Sequence, residues 1–330
     1  MTTLLHFFAD GKAEPLKGLI HKLQSSHPLA VLDEVRLNFT EGSLLVMNIV
    51  IAFVMFGVAL NMDFKKFKDV FRNIKPFLFG VGSQFILLPL FTFILVKIIN
   101  PTPSVALGMI LVAACPGGNV SNFFSYLSKA NLNLSVSMTA FSTTVCVIML
   151  PFNFWLYSSL YFSSMDVPYI TISFLDVLQT VVLLLGLPVV LGIIVGKRFP
   201  KFVQKTKKPI SYISIVVFIA FVVLAFKNNF DYFLKYIHLI FLIVLIHNTL
   251  AFVLGFSAAK LGRLKDADVR AITIETGIQN SGLGLILIFN PNLFNGLGGM
   301  AFIAAFWGIW HIVAGFVISW YWARKPLSTR

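Results

Sequence analysis

Eight stretches of this chain, residues 42–62, 76–96, 98–128, 130–165, 177–196, 209–226, 236–259 and 276–323, hold no Asp, Glu, Lys or Arg. A helix needs roughly 20 apolar residues to cross the hydrocarbon core of a bilayer. Inside lipid, a backbone must satisfy its own hydrogen bonds. Runs of this length, rich in Leu, Ile, Val and Phe, therefore dictate an all-α polytopic membrane protein. Composition agrees: 58% of the 330 residues are hydrophobic and only 12% are charged, about half the charged fraction of a soluble domain.

The net charge of +13 would suit a nucleic-acid partner if it formed one patch, but its distribution points elsewhere. Lys65, Lys66, Lys68, Arg72 and Lys75 share one loop. Lys197, Arg198, Lys201, Lys205, Lys207 and Lys208 share a second, and Lys260, Arg263, Lys265 and Arg270 a third. Lys129 and the tail residues Arg324, Lys325 and Arg330 complete the pattern. Cations gathered in alternate loops follow the positive-inside rule, so the basic excess signals orientation. No nucleic-acid partner is expected. Cys115 and Cys146 fall inside apolar runs and read as small buried hydrophobes, not as a disulfide or metal pair. The opening "MTTLLHFFADGKAEPL" carries acids and no long apolar core, unlike a cleavable signal.

The spacing predicts nine spans, at 44–60, 76–98, 104–129, 131–160, 174–196, 209–226, 236–259, 267–291 and 298–322. With the basic loops inside, the amino terminus lies outside and the carboxyl terminus, with its tail 323–330, in the cytoplasm. That is the layout expected in a plasma membrane or a bacterial inner membrane. Residues 1–43 are charged and discontinuous, and "LKGLIHKLQSSHPLAVLDEV" suits an amphipathic helix on the membrane surface. Asn38-Phe39-Thr40 matches a glycosylation acceptor.

Starts at 44, 76, 104 and 131 recur at 209, 236, 267 and 298, so two sets of four helices flank one linking helix at 174–196. The fifth span flips the second set relative to the first. Such inverted repeats build many secondary transporters. The polar punctuation falls at matching places. "CPGGNVSN" (115–122) interrupts the third span, and "ETGIQNSG" (275–282) interrupts its partner. Pro removes a donor and Gly weakens a helix, so both spans are expected to break at mid-membrane. Breaks there survive only inside protein or beside a cavity.

Glu275 is the one acid set well inside a span, and a carboxylate at that depth costs a few kcal/mol or more without a partner. With no Lys or Arg expected at its level, a bound cation is the natural partner. Gln84, Ser121, Asn122, Ser135, Thr139, Thr276 and Gln279 offer hard neutral oxygens, which suit hard cations. Ser135 and Thr139, four apart, share a helix face. Blander roles are assigned to the other polar residues. Thr143, Thr144, Ser137 and Thr273 are read as bonding back to their own helices. His247 and His311 are read as packed, hydrogen-bonded side chains. Gln84 suits interhelical contact as well as ligation. No phosphate loop, intramembrane acid pair or supported Ser-His-Asp set appears, so no enzyme is expected.

At "CPGGNVSN" and "ETGIQNSG" the chain resembles the bile acid:sodium symporter family, from about Leu44 onward. The resemblance implies two crossing, broken helices and two sodium ions. One site would use Ser121, Asn122, Ser135, Thr139 and Glu275. The other would use Gln84, Glu275 and Gln279 with the carbonyls of Thr276 and Ile278. It also implies a core of 76–160 and 236–322, which binds ions and substrate, moving against a panel of 44–60 and 174–226. An organic anion, bile-acid-like or a small carboxylate, would bind between them near Gly118, Asn119 and Asn280. Two alternatives stay open at this point: proton coupling through Glu275, and a membrane sensor on the same fold that does not transport.

Overall fold

The computed structural model describes residues 29–34, 74–118, 120–163, 174–201, 230–290, 293–294 and 297–327, with isolated positions in 49–60 and 203–216. Among the described residues every regular element is helical. A short turn, α1 (Ala30–Glu34), precedes α2 (Ile74–Ile99), α3 (Pro103–Ala114), α4 (Val120–Leu127) and α5 (Leu132–Ser163). Then follow α6 (Phe174–Arg198), α7 (Phe230–Leu261), α8 (Asp266–Gly277), α9 (Ser281–Phe289) and α10 (Gly298–Ala323). Among the described residues, five helices are long and apolar enough to cross a membrane: α2, α5, α6, α7 from Leu234, and α10.

Both predicted interruptions are present. The span expected at 104–129 is α3 plus α4, and the span expected at 267–291 is α8 plus α9. Pro103 opens α3, where its fixed φ and missing N–H fit the first turn. Pro116 ends it, because a residue before proline is pushed out of the helical region. Cys115 accordingly sits at φ −65°, ψ 156°. All twelve residues of α3 are buried, which marks an interior helix with no lipid face.

Proline also shapes α2 and α6. Each widens into a π-turn, Ser83–Leu87 and Val182–Gly186, just ahead of Pro89 and Pro188. A proline ring clashes with the carbonyl four residues back and leaves it without its amide, and a widened turn relieves the clash. For Pro89 that carbonyl is Phe85, which accepts a bond from Asn153 Nδ2 of α5 at 3.0 Å. The spans predicted at 76–98, 131–160, 174–196, 236–259 and 298–322 correspond to α2, α5, α6, α7 and α10. The span at 44–60 falls on isolated positions, of which Phe56, Ala59 and Leu60 pack against Gly192 of α6. The span at 209–226 lies almost entirely outside the described residues, as does Asn38.

Leu78, Ile86, Leu183, Leu187, Leu242, Val253 and Val317 stand exposed on the outer faces of α2, α6, α7 and α10. Such apolar surface suits lipid. Inside, one large cluster joins α3, α5, α7, α9 and α10. A smaller one, Phe124, Phe252, Ile274 and Ile278, packs beside the two breaks. Cys115 and Cys146 are buried and free, as expected.

Three expectations change. Arg270, counted above with the loop cations, is buried within α8. Its guanidinium donates to the carbonyls of Ser128, Trp322, Lys325 and Pro326 and pairs with Asp266 at 3.0 Å. The free carbonyls at the ends of α4 and α10 make this burial possible, because each needs a donor. Ser137 departs from its expected back-bond: its Oγ is buried and has no partner among the described residues. Thr143, Thr144 and Thr273 do bond to the carbonyls of Thr139, Ala140 and Val269.

α1 belongs to the helix expected on the membrane surface, yet Leu32 and Asp33 are buried against α3 and α10. Asp33 accepts the backbone N–H and the hydroxyl of Ser104. A carboxylate from outside the bundle thus caps the start of α3, where free amides favour negative charge.

Candidate functional site

The two breaks meet. Gly118 N donates to Ile278 O at 2.9 Å and Asn280 N to Pro116 O at 2.8 Å, bringing Gly117 and Gln279 together in a short antiparallel bridge. Each interrupted helix thereby satisfies backbone groups that lipid would leave bare. Around the bridge, four half-helices, α3, α4, α8 and α9, end near one another, with α2 and α5 alongside.

Glu275 lies two residues before the end of α8 and is fully buried. Its Oε2 accepts from Ser121 Oγ of α4 at 2.5 Å and from Ser135 Oγ of α5 at 3.1 Å, and its Oε1 from Thr139 Oγ1 at 2.6 Å. Asn122 completes the group, with its Oδ1 accepting from Ser135 Oγ at 3.0 Å and its Nδ2 donating to Thr139 Oγ1 at 3.2 Å. One carboxylate, three hydroxyls and one amide from three helices thus converge. Among the described residues no basic side chain pairs with Glu275, and Arg270 on the same helix spends its guanidinium elsewhere.

Beside the same bridge stand Gln84, from the π-turn of α2 and close to Gly117, and Gln279, paired with Gly117. Both are buried; both polar atoms of Gln84 and the Oε1 of Gln279 have no partner among the described residues. Gln279 Nε2 donates to Thr276 O at 2.8 Å. Unsatisfied amides at this depth are rare and costly. The carbonyls of Thr276 and Ile278 each carry one bond, which leaves one lone pair apiece. Gly117 lies against both Glu275 and Gln84: a Cβ there would collide with Glu275 Oε1 and lie 3.1 Å from Gln84 Nε2.

The structure therefore brings together Ser121, Asn122, Ser135, Thr139 and Glu275, and places Gln84, Gln279, Thr276 and Ile278 around the breaks. Asn280 caps α9, its Oδ1 accepting from Leu283 N at 3.0 Å, and is half-buried. Gly118 is buried, and its N–H is committed to Ile278. Asn119 lies outside the described residues. His247 is packed as expected, bonded through Nε2 to Thr92 Oγ1 at 2.8 Å and edge-on to Trp307. His311 is buried too, but its Nδ1 has no partner among the described residues.

Three contributors escaped the sequence reading. Gly117 was legible only as a helix breaker, not as a spacer. Ser83, whose Oγ lies 2.7 Å from Thr276 Oγ1, looks in sequence like any hydroxyl in a span. Asn248, which donates to Gly277 O at 2.8 Å, was one amide among apolar residues.

The sequence profile of the sodium bile acid symporter family matches residues 48–236. The chain belongs to this family. Members similar to it include an uncharacterized sodium-dependent transporter, YocS, of Bacillus subtilis, 32% identical over 84% of this chain and 83% of the relative. The ileal sodium/bile acid cotransporter of Oryctolagus cuniculus is 28% identical over 80% of this chain and 78% of its own. A probable chloroplastic sodium/metabolite cotransporter of Arabidopsis thaliana, BASS1, is 28% identical over 82% and 65%. The sodium bile acid symporter family is one of sodium-dependent membrane transporters, and a multi-pass helical bundle with apolar outer faces accords with membership.

Proposed function

We propose that this chain is a symporter that couples inward sodium flow to the uptake of an organic anion, a bile-acid-like compound or small carboxylate, by alternating access. One observation carries the reading: a buried carboxylate with no basic partner among the described residues, bonded by three hydroxyls, with Gln84 and Gln279 beside the same bridge keeping polar atoms that have no partner among the described residues. A sodium ion supplies the positive charge that Glu275 lacks. Two ions are assigned. One is held by Ser121, Asn122, Ser135, Thr139 and Glu275, and one by Gln84, Glu275 and Gln279 with the carbonyls of Thr276 and Ile278. Glu275 then serves both, which links their occupancy.

The meeting of the breaks accounts for the coupling. Sodium ties α4, α5 and α8 together at Glu275 and so fixes the bridge at Gly117 and Gln279. Binding at one site lowers the cost of ordering the other, a linkage of about 1–3 kcal/mol in typical cases. The anion is assigned to the crossing near Asn119, Gly118 and Asn280. There the amino ends of α4 and α9 favour negative charge. Nine spans in two inverted repeats complete the proposed architecture, with the amino terminus outside and the tail in the cytoplasm. The packing of Gly192 in α6 against Phe56 and Ala59 supports a panel of 44–60 and 174–226. The remaining spans form the core.

The test is thermal unfolding of purified protein in sodium against potassium, for wild type and Glu275→Ala, followed by vesicle uptake of candidate anions. A ligand that binds only the folded state raises its stability. Sodium should raise the Tm of wild type and leave Glu275→Ala unmoved. A wild type indifferent to saturating sodium but responsive to pH would replace sodium coupling with proton coupling. Anion binding without accumulation in vesicles under an inwardly directed sodium gradient would indicate a sensor.

A further inference from the structure

Helix α7 grips the break in α8 at one peptide, and from two sides. Asn248 Nδ2 donates to the carbonyl of Gly277, the last residue of α8, at 2.8 Å. One turn further along α7, the ring of Phe252 fills the space that a side chain at 277 would need. Gly255 lets the helices approach closely, since a Cβ there would lie 2.9 Å from Ile272 O and 2.9 Å from Thr276 Cβ.

The bond answers a local need. In an unbroken helix the Gly277 carbonyl would receive the N–H of residue 281, but Ser281 N donates to Gln279 O instead. A carbonyl left bare inside a membrane protein is costly. Asn248 is fully buried, and its Oδ1 has no partner among the described residues, so the interaction that holds this side chain is its bond to Gly277.

Gly277 also stands between Thr276 and Ile278. Peptide groups are planar and rigid, so fixing the direction of one carbonyl limits where its neighbours point. We infer that Asn248 is a positioning residue for sodium, seconded by Phe252: by turning the Gly277 carbonyl onto α7, it fixes the Thr276 and Ile278 carbonyls at the Gln84–Gln279 side of the site. This inference rests on the reading of Glu275 as a sodium carboxylate. Groups that orient metal ligands without touching the ion typically change affinity by roughly 10–100-fold when removed.

The experiment is a sodium titration of Tm in purified full-length protein, with potassium holding ionic strength constant. Asn248→Leu should raise the sodium concentration that gives half the full shift by roughly tenfold or more. Phe252→Leu, which keeps an apolar side chain, should shift it the same way by less, and decides the question alone if Asn248→Leu does not fold. Ser319→Ala, which removes an unrelated bond to Phe124 O at 3.1 Å, should lower Tm and leave the half-point in place. Half-points unchanged in both α7 variants while wild type titrates normally would overturn the positioning role alone. A wild type insensitive to sodium would remove the Glu275 reading and this inference with it.

Discussion

Gly117 and Glu275 are packed so tightly that one added methyl group on the glycine would strike the carboxylate oxygen Oε1. The contact joins the break between α3 and α4 to the break between α8 and α9 at their most polar point. Gly117 is thus required for its lack of volume. Gly117→Ala should displace the carboxylate from Thr139, its nearer neighbour on Oε1. Sodium-dependent stabilisation should then be lost, although Ala is an ordinary helix former. A Tm titration of Gly117→Ala that matches wild type would show that the carboxylate is free to move.

Thr139 and Thr143 are one turn apart on α5 and provide an internal contrast. Thr139 Oγ1 donates to Glu275 at 2.6 Å, whereas Thr143 Oγ1 donates to the Thr139 carbonyl at 2.8 Å. Valine keeps the shape of threonine and removes the hydroxyl. A hydrogen bond to a charged group contributes about 1.5–3 kcal/mol, against about 1 kcal/mol for a neutral one. Thr139→Val also removes an oxygen proposed to hold the ion, and on that ground should weaken sodium binding by roughly tenfold or more. Thr143→Val should leave it near wild type. Equal sodium half-points in the two variants would count against a cation at this carboxylate.

Asn153 shows how a proline in one helix creates a requirement in another. Pro89 frees the Phe85 carbonyl, and Asn153 Nδ2 fills the gap at 3.0 Å. Asn153→Leu would leave that buried carbonyl without a donor, a cost of about 1–3 kcal/mol. The variant should unfold at lower temperature in potassium. Because Phe85 adjoins Gln84 in the same π-turn, its sodium response should weaken too. Unchanged Tm would mean that water or another donor satisfies Phe85.

Much of this was legible because membrane insertion imposes simple rules. Uncharged runs of sufficient length foretold α2, α5, α6, α7 and α10, and Pro116 with its glycines foretold the break after α3. The lone Glu275 pointed to the oxygen cluster because a charge at that depth demands a partner. What stayed hidden depends on distances between elements far apart in sequence. The bridge from Gly118 to Ile278 has no local signature. Arg270 reads as one more loop cation beside Lys265, since only the fold shows the carbonyl ends of α4 and α10 converging on it. Asp33 looks like a solvent-exposed acid until α1 is seen against Ser104.

Asn280 allows the proposed anion site to be tested apart from the fold. Its Oδ1 caps α9 by accepting from Leu283 N at 3.0 Å, and the residue is half-buried, so its Nδ2 is the group proposed to meet the anion. Asn280→Ala removes both functions, and losing such a cap costs about 1 kcal/mol. Asn280→Asp keeps an acceptor for Leu283 N, and negative charge suits the start of a helix. It replaces the donor with an oxygen that repels an anion. Asn280→Asp should therefore match wild type in Tm and in sodium stabilisation, yet lose most anion uptake in vesicles. Asn280→Ala should lose uptake together with some stability. Full uptake by the aspartate variant would move the anion away from α9 and toward the amino end of α4.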